Sequence, residues 1–476
     1  MKPMSRLRVG LVALHMNSYF AEEYGVFVRA QQGLSQLAAD NEFEVVVAPD
    51  HVVTTEDAAA ATGLFAGQRL DCLVVLLATC TTSDPILELG RLGVPLLLWA
   101  VPEPRFDGPV QLNSYVALQI AASTLHRHND TSTTSPVRYE CLFGDVTEPR
   151  FSEPFLIIVR TVRVWRTLAS SRVGLVGDVA PGFLNLNYDA AELRSRLGVE
   201  IVRHDVSVLL HNEYSSKDVD RVAAAMCRAA REVNVPAASV TASAVVYLNL
   251  RRLVVEHGYR ALAVRDWPEL QSLAHLSPLL AMAWLSEQDG IPVACEGDAL
   301  GAVSLLALQA ASGSMSTLLD IGPASPRGTE LLVWHLGSSP HGFANDLGVT
   351  YEPHSTLGRK GDGPFGVVVD QQFASGRVTL INFSDGGKTL FVAGGRLVDG
   401  ELPGPSGDRG WLIEAELRGS PVSIQTLLDT SLRRGLSHHC ALVRGDWQVE
   451  MSTLGSWLGL DDVEPQGRRL GSHVSE

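Results

Sequence analysis

A chain of 476 residues that is 46% hydrophobic and 19% charged holds enough apolar material for several packed cores, roughly two to four domains, and is far from a disordered composition. Its formal net charge of -15 repels phosphate backbones and anionic lipid, which sets nucleic acid and membrane surfaces aside as partners. The cysteines, Cys72, Cys80, Cys141, Cys227, Cys295 and Cys440, form no CxxC pair and read as reduced thiols in a reducing compartment.

The start, "MKPMSRLRVGLVALHM", places basic residues before an apolar run. It lacks a small-residue cleavage site and reads as a first β-strand, over 8–14, not as an export signal. No uncharged stretch approaches the ~20 apolar residues of a membrane span, so the expected location is the cytoplasm. Helical spacing follows over 22–39, a strand over 43–49 and a helix over 56–70. Two further strands, 71–79 and 94–101, flank a helix over 84–92. Short apolar runs separated by amphipathic helices predict βαβ units and a parallel sheet. A helix over 113–128 opens on an Asn/Ser cap, and "NDTSTTSPVRYE" is a polar loop.

A second α/β block begins near residue 165. Strands are expected over 171–179 and 199–206, with a helix over 189–198 stopped by its glycine. Helices follow over 215–233 and 242–258, a strand and turn over 259–270, and a helix over 276–290. The strand "IPVACEGD" then leads into a helix from 298 to about 311. After residue 320 the texture becomes β-rich with glycine turns, which predicts an antiparallel sheet or barrel-like domain. The last ten residues read as a frayed tail. The expected architecture is therefore α/β: two consecutive doubly wound parallel-sheet domains (1–165 and 166–318), then a β-rich antiparallel domain (319–476).

Neither G-x-G-x-x-G, nor a P-loop, nor a G-x-S-x-G elbow occurs. "CEGD" does carry a chemical signal, because a carboxylate at a strand end before a helix sits where α/β sheets gather site residues. Taken alone, the segment reads as a capped helix with Asp298 as N-cap. Asp320 ends another apolar run, His335 lies inside a third, and His438 and His439 precede a fourth. Polar groups in such settings must be satisfied. Mixed carboxylate and imidazole donors suit Mn²⁺ or a similar divalent ion.

The ordered set "ACEGD…LLDI…VWHLG…HHCALVRGD", with "NSYVALQIAASTLHR", "ALAVRDWPEL" and "SGRVTLINF", resembles the L-fucose/L-arabinose isomerase family over most of the chain. The resemblance implies a metal-dependent aldose–ketose isomerase of two α/β domains and a β-rich domain. It implies Glu296 and Asp320 as catalytic carboxylates, and Glu296, Asp320, His335 and His439 as metal ligands, with His438 as the fallback. It places Asn113, Ser114 and Gln119 at substrate contacts, often to a neighbouring subunit of a trimer-based or hexameric homo-oligomer. His341 is a further candidate substrate contact that matches no known role. Leu336 and Asp266 stand where related sequences often have cysteine, which leaves the metal set intact and the sugar open.

Two carboxylates with pKa values pushed apart, and a metal on O1 and O2, would move hydrogen between C1 and C2 through an enediolate. Two other readings share this scaffold: a non-catalytic sugar-binding or regulatory protein, and a metal-dependent epimerase or lyase.

Overall fold

Wholly apolar strands need cover on both faces, and the helices between them supply it. A computed structural model describes residues 6–131, 136–356, 365–400 and 403–465. The chain divides into two compact units, one ending at Arg166 and the other beginning at Thr167.

The first unit is a parallel sheet whose strands run in the order Phe43–Val47, Leu7–Leu14, Cys72–Leu77, Leu96–Ala100 and Tyr139–Phe143. Every residue of Cys72–Leu77 and Leu96–Ala100 is buried. The helix Thr55–Ala66 starts on a capping box between Thr54 and Asp57. Two elements depart from expectation. A strand, Tyr139–Phe143, begins inside the segment read as a polar loop, and a long helix, Pro149–Ala169, follows it.

The second unit opens with a smaller parallel sheet in the order Val293–Ala294, Ala261–Val264, Arg172–Val176, Glu200–His204. Its helix Ala237–His257 is long and apolar enough to cross a membrane by length and composition, contrary to the sequence reading. It nevertheless buries Val240, Ala244, Tyr247, Leu250 and Leu253 inside this unit.

The β-rich part is mainly antiparallel. Thr389–Val398 pairs with Gly376–Ser384, which pairs with His439–Arg444, then Ser316–Ala324, Leu331–His335 and Asp408–Leu417. Asp408–Leu417 pairs back onto Thr389–Val398, so the circuit closes and these strands have no free edge. Phe373, Leu380, Phe391, Leu412 and Leu442 lie in its core. Two helices here, Ile424–Arg433 and Gln448–Trp457, lie where only strands were expected.

One helix fixes the site. Ala299–Ser312 is apolar nearly all round and almost wholly buried. It packs on Ala261–Val264 on one side and on Ser316–Ala324, Gly376–Ser384 and His439–Arg444 on the other. Ser304 accepts the Phe383 N–H at 3.1 Å, and Ser316 donates to the Leu305 carbonyl at 2.9 Å. The start of this helix is thereby held against the barrel strands. The expected tail lies outside the described residues.

Candidate metal centre

In the small sheet the edge strand Val293–Ala294 and its neighbour Ala261–Val264 end side by side, and each hands a carboxylate to the same place. Val264 is followed by Arg265 and Asp266, and Ala294 by Cys295 and Glu296. The chain turns sharply there, with Glu296 at φ 56 and Gly297 at φ 70. A left-handed glutamate is costly and persists only when its surroundings hold it. Three hydrogen bonds do so: Glu296 N–H to Asp266 Oδ1 at 2.7 Å, Gly297 N–H to the Val264 carbonyl at 3.0 Å, and Ala180 N–H to the Glu296 carbonyl at 2.9 Å. A Cβ on Gly297 would stand 2.3 Å from the Asp178 carbonyl oxygen, so only glycine fits.

Asp298 then caps the helix, its Oδ1 accepting the Gly301 N–H at 2.8 Å. Its other oxygen lies 2.9 Å from Nδ1 of His439. A carboxylate on Nδ1 fixes the ring so that Nε2 faces the site, as the outer partner of a metal-ligating histidine does. Nε2 lies 3.8 Å from Glu296 Oε2, 3.9 Å from Asp320 Oδ1 and 3.6 Å from Cys295 Sγ. Asp320 and His439 are direct partners on adjacent antiparallel strands, which puts their side chains on one face. His335 joins through Cys295, with Sγ 3.1 Å from its Nε2. His438 places Nε2 3.1 Å from Glu296 Oε2, and the Trp267 indole N–H points at Oε1 at 3.4 Å.

The electrostatics divide the acids. Burial would raise Glu296, but the hydrogen bond from His438 and the nearby His439 charge bring it below its ordinary value. Burial raises Asp320, and His439 only partly offsets it. Burial also pushes Asp266 up to about 7. For His439, burial is outweighed by the Asp298 hydrogen bond and by the charges of Asp298, Asp320 and Glu296, which lift the ring to about 9. Burial and the neighbouring His439 hold His335 well below its usual range.

Two overlapping groups could hold a metal ion: Cys295, His335 and His439, and Glu296, His438 and His439. Among the described residues, buried Asp320 Oδ1 has no hydrogen-bond partner. An acceptor left so, beside imidazole and carboxylate donors, fits a divalent cation.

No family model matches the chain. Its curated relatives do agree with one another. It is 25% identical over 427 residues to the sulfoquinovose isomerase of Priestia aryabhattai, across 87% of this chain and 90% of the relative. It is 26% identical over 385 residues to that of Alkalicoccus urumqiensis, across 79% and 82%. Likeness to solved structures is slight. A solute-binding protein of Agrobacterium vitis bound with alpha-D-tagatopyranose is 11% identical, with 56% of this chain and 78% of that chain covered, at a TM-score of 0.18.

The structure brings Glu296, Asp320, His335 and His439 into one cluster. His341 is elsewhere: it packs near the rings of Trp284 and Tyr351, and burial takes it to about 4. Asn113, Ser114 and Gln119 belong to the first unit. There Asn113 has φ 55 and donates to the Tyr19 hydroxyl at 3.2 Å, and Ser114 accepts the Val101 N–H at 2.9 Å. Sequence reasoning did not place Cys295, Asp266 or Asp298 in the site. Each had the same available signal, a polar or thiol side chain at the end of an apolar strand.

Proposed function

We propose that this chain is a metal-dependent aldose–ketose isomerase of a sugar, with sulfoquinovose, the sugar in its relatives' names, as the first candidate substrate. The observation that carries the reading is that Glu296 and Asp320 both come within 3.9 Å of His439 Nε2, together with relatives of one name over most of the chain.

Isomerisation removes a proton beside a carbonyl and returns one to the neighbouring carbon. It needs one group ready to accept and one ready to donate. Glu296, held below its ordinary pKa, is ionised and is the acceptor. Asp320, which burial raises, holds a proton more readily than Glu296 and is the donor in this reading. Glu296, Asp320, His335 and His439 would hold Mn²⁺ or a similar ion. When bound, such a cation polarises a carbonyl and stabilises negative charge on the sugar oxygens. Asp298 sets the ring of His439 and Asp266 sets the turn at Glu296; neither reaches a substrate in this reading. In the first unit, Phe106 is 95% exposed and Tyr115 and Phe143 form an edge-to-face pair that is half exposed. These exposed aromatics support a homo-oligomer, with Asn113 and Gln119 as substrate contacts; Ser114 is 1% exposed and its hydroxyl is taken up by the Val101 N–H and the Leu77 carbonyl.

The test is a product screen by NMR with added Mn²⁺ over sulfoquinovose, pentoses and 6-deoxyhexoses. Glu296→Gln is expected to abolish turnover while circular dichroism stays unchanged. Turnover that survives this substitution, or survives EDTA, sinks the assignment.

A further inference from the structure

His438 and His439 are neighbours in sequence with ring centroids 4.1 Å apart, yet they are wired differently. Asn185, on the short turn Leu184–Leu186, places its amide nitrogen 2.9 Å from His438 Nδ1. An amide nitrogen only donates, so Nδ1 is bare. An ionised carboxylate only accepts, so Nε2, 3.1 Å from Glu296 Oε2, carries the hydrogen. In that tautomer His438 has no lone pair turned to the cluster. His439 is the reverse: its Nδ1 faces the Asp298 carboxylate and its Nε2 faces the site. The same turn holds the other donor to Glu296. Phe183 packs on His438 with centroids 5.3 Å apart and on Trp267 at 5.6 Å, and Trp267 reaches Glu296 Oε1.

We propose that Asn185 and His438 are positioning residues, a relay that aims the Glu296 carboxylate, and that His438 stands outside the ligand set to which His439 belongs. This rests on the metal-site reading for its second half only. The turn Phe183–Asn185 governs both hydrogen bonds to the Glu296 side chain. The outer partner of a ligand carboxylate affects affinity about 10- to 100-fold without touching the ion.

Two measurements test it, both without sugar. In metal-free protein labelled with ¹⁵N-histidine, NMR is expected to show His438 as the Nε2–H tautomer, its signals identified by their loss in His438→Gln. Asn185→Ala is expected to weaken that preference, with Glu296 still accepting from Nε2, and Asn185→Asp, which sets a carboxylate against each nitrogen, to give the doubly protonated ring. Calorimetric titration with Mn²⁺ alone is the second. His439→Ala should lose affinity about 100-fold or more. His438→Gln, which keeps a donor to Glu296, should stay within about threefold. His438→Ala and Asn185→Ala should each lose about tenfold, and the double variant no more than His438→Ala, because the two act through one path.

An Nδ1–H tautomer in the unsubstituted protein overturns the relay. A His438→Gln loss equal to that of His439→Ala makes His438 a ligand and overturns the second half. A protein that binds no Mn²⁺ fails the metal reading, and the tautomer spectra then decide the relay by themselves.

Discussion

Asp298→Asn separates a local role from a long-range one. Aspartate and asparagine are equally good N-caps, so a residue that only capped Ala299–Ser312 would tolerate the change within about 0.5 kcal/mol. In the structure the carboxylate serves two donors, Gly301 N–H on one oxygen and His439 Nδ1 on the other. An amide has one oxygen, so its NH₂ must face one of those donors. That leaves a buried donor unmatched, at about 1–3 kcal/mol, and removes the charge that keeps His439 protonated.

The pH dependence gives the second magnitude. His439 is raised from 6.5 to about 9, so it contributes stability that is full below pH 6.5 and is lost as pH rises through 9. A shift of that size is about 3 kcal/mol. Urea unfolding of metal-free protein, followed by tryptophan fluorescence, should show Asp298→Asn destabilised by about 2–4 kcal/mol at pH 6.5, the unmatched donor plus the share of the His439 shift that Asp298, and not Asp320 or Glu296, supplies. The gap should narrow towards about 1 kcal/mol above pH 9, where only the unmatched donor remains. A variant within 0.5 kcal/mol of the parent at pH 6.5, or a gap that does not change with pH, would falsify the dual role.

Burial holds His354, 4% exposed, at a pKa of about 4 against 6.5 unfolded. Between those values only the unfolded chain takes up the proton, so His354 should contribute a loss of about 3 kcal/mol as pH drops from 6.5 to 4; His354→Phe should remove that share of the slope in urea midpoints, leaving the shares of His335 and His341. Gly297→Ala forces a Cβ onto the Asp178 carbonyl at a left-handed φ and should cost about 2 kcal/mol or more in unfolding free energy, with Mn²⁺ affinity reduced because Glu296 moves with it. Saturating Mn²⁺ should raise stability by about 2.7 kcal/mol at 100 times its dissociation constant, seen as a higher thermal midpoint; EDTA should reverse the gain, and His439→Ala should remove it.

What the sequence revealed tracks how local each cause is. The parallel strands Cys72–Leu77 and Leu96–Ala100 stood out because wholly apolar runs have few alternatives. Pro149–Ala169 escaped notice because it starts with proline, carries Pro154 inside and spreads arginines along its length. Tyr139–Phe143 was hidden by the polar residues before it. In the site, Glu296, Asp320, His335 and His439 could be named from a resemblance, while Asp298 was legible only as the cap of Ala299–Ser312. The bond from Asp298 to His439 crosses 141 residues and leaves no trace in spacing. Nor does the 253-residue reach from Asn185 to His438, which is what tells two adjacent histidines apart.

The closed circuit of strands also has a consequence in time. Synthesis at about 5–20 residues per second puts His439 roughly 7–28 s behind Asp298. Until then Glu296 and Asp298 lack the His439 imidazole, and the ring lacks the last strand that closes it. A nascent or C-terminally truncated chain would therefore present a thiol and three acids, Asp320 among them, to cellular metals and oxidants, and zinc or copper could capture them before the finished site can choose its ion. Protection over that interval must come from the ribosome-bound chain's surroundings, because the strand that buries these groups is almost the last to be made.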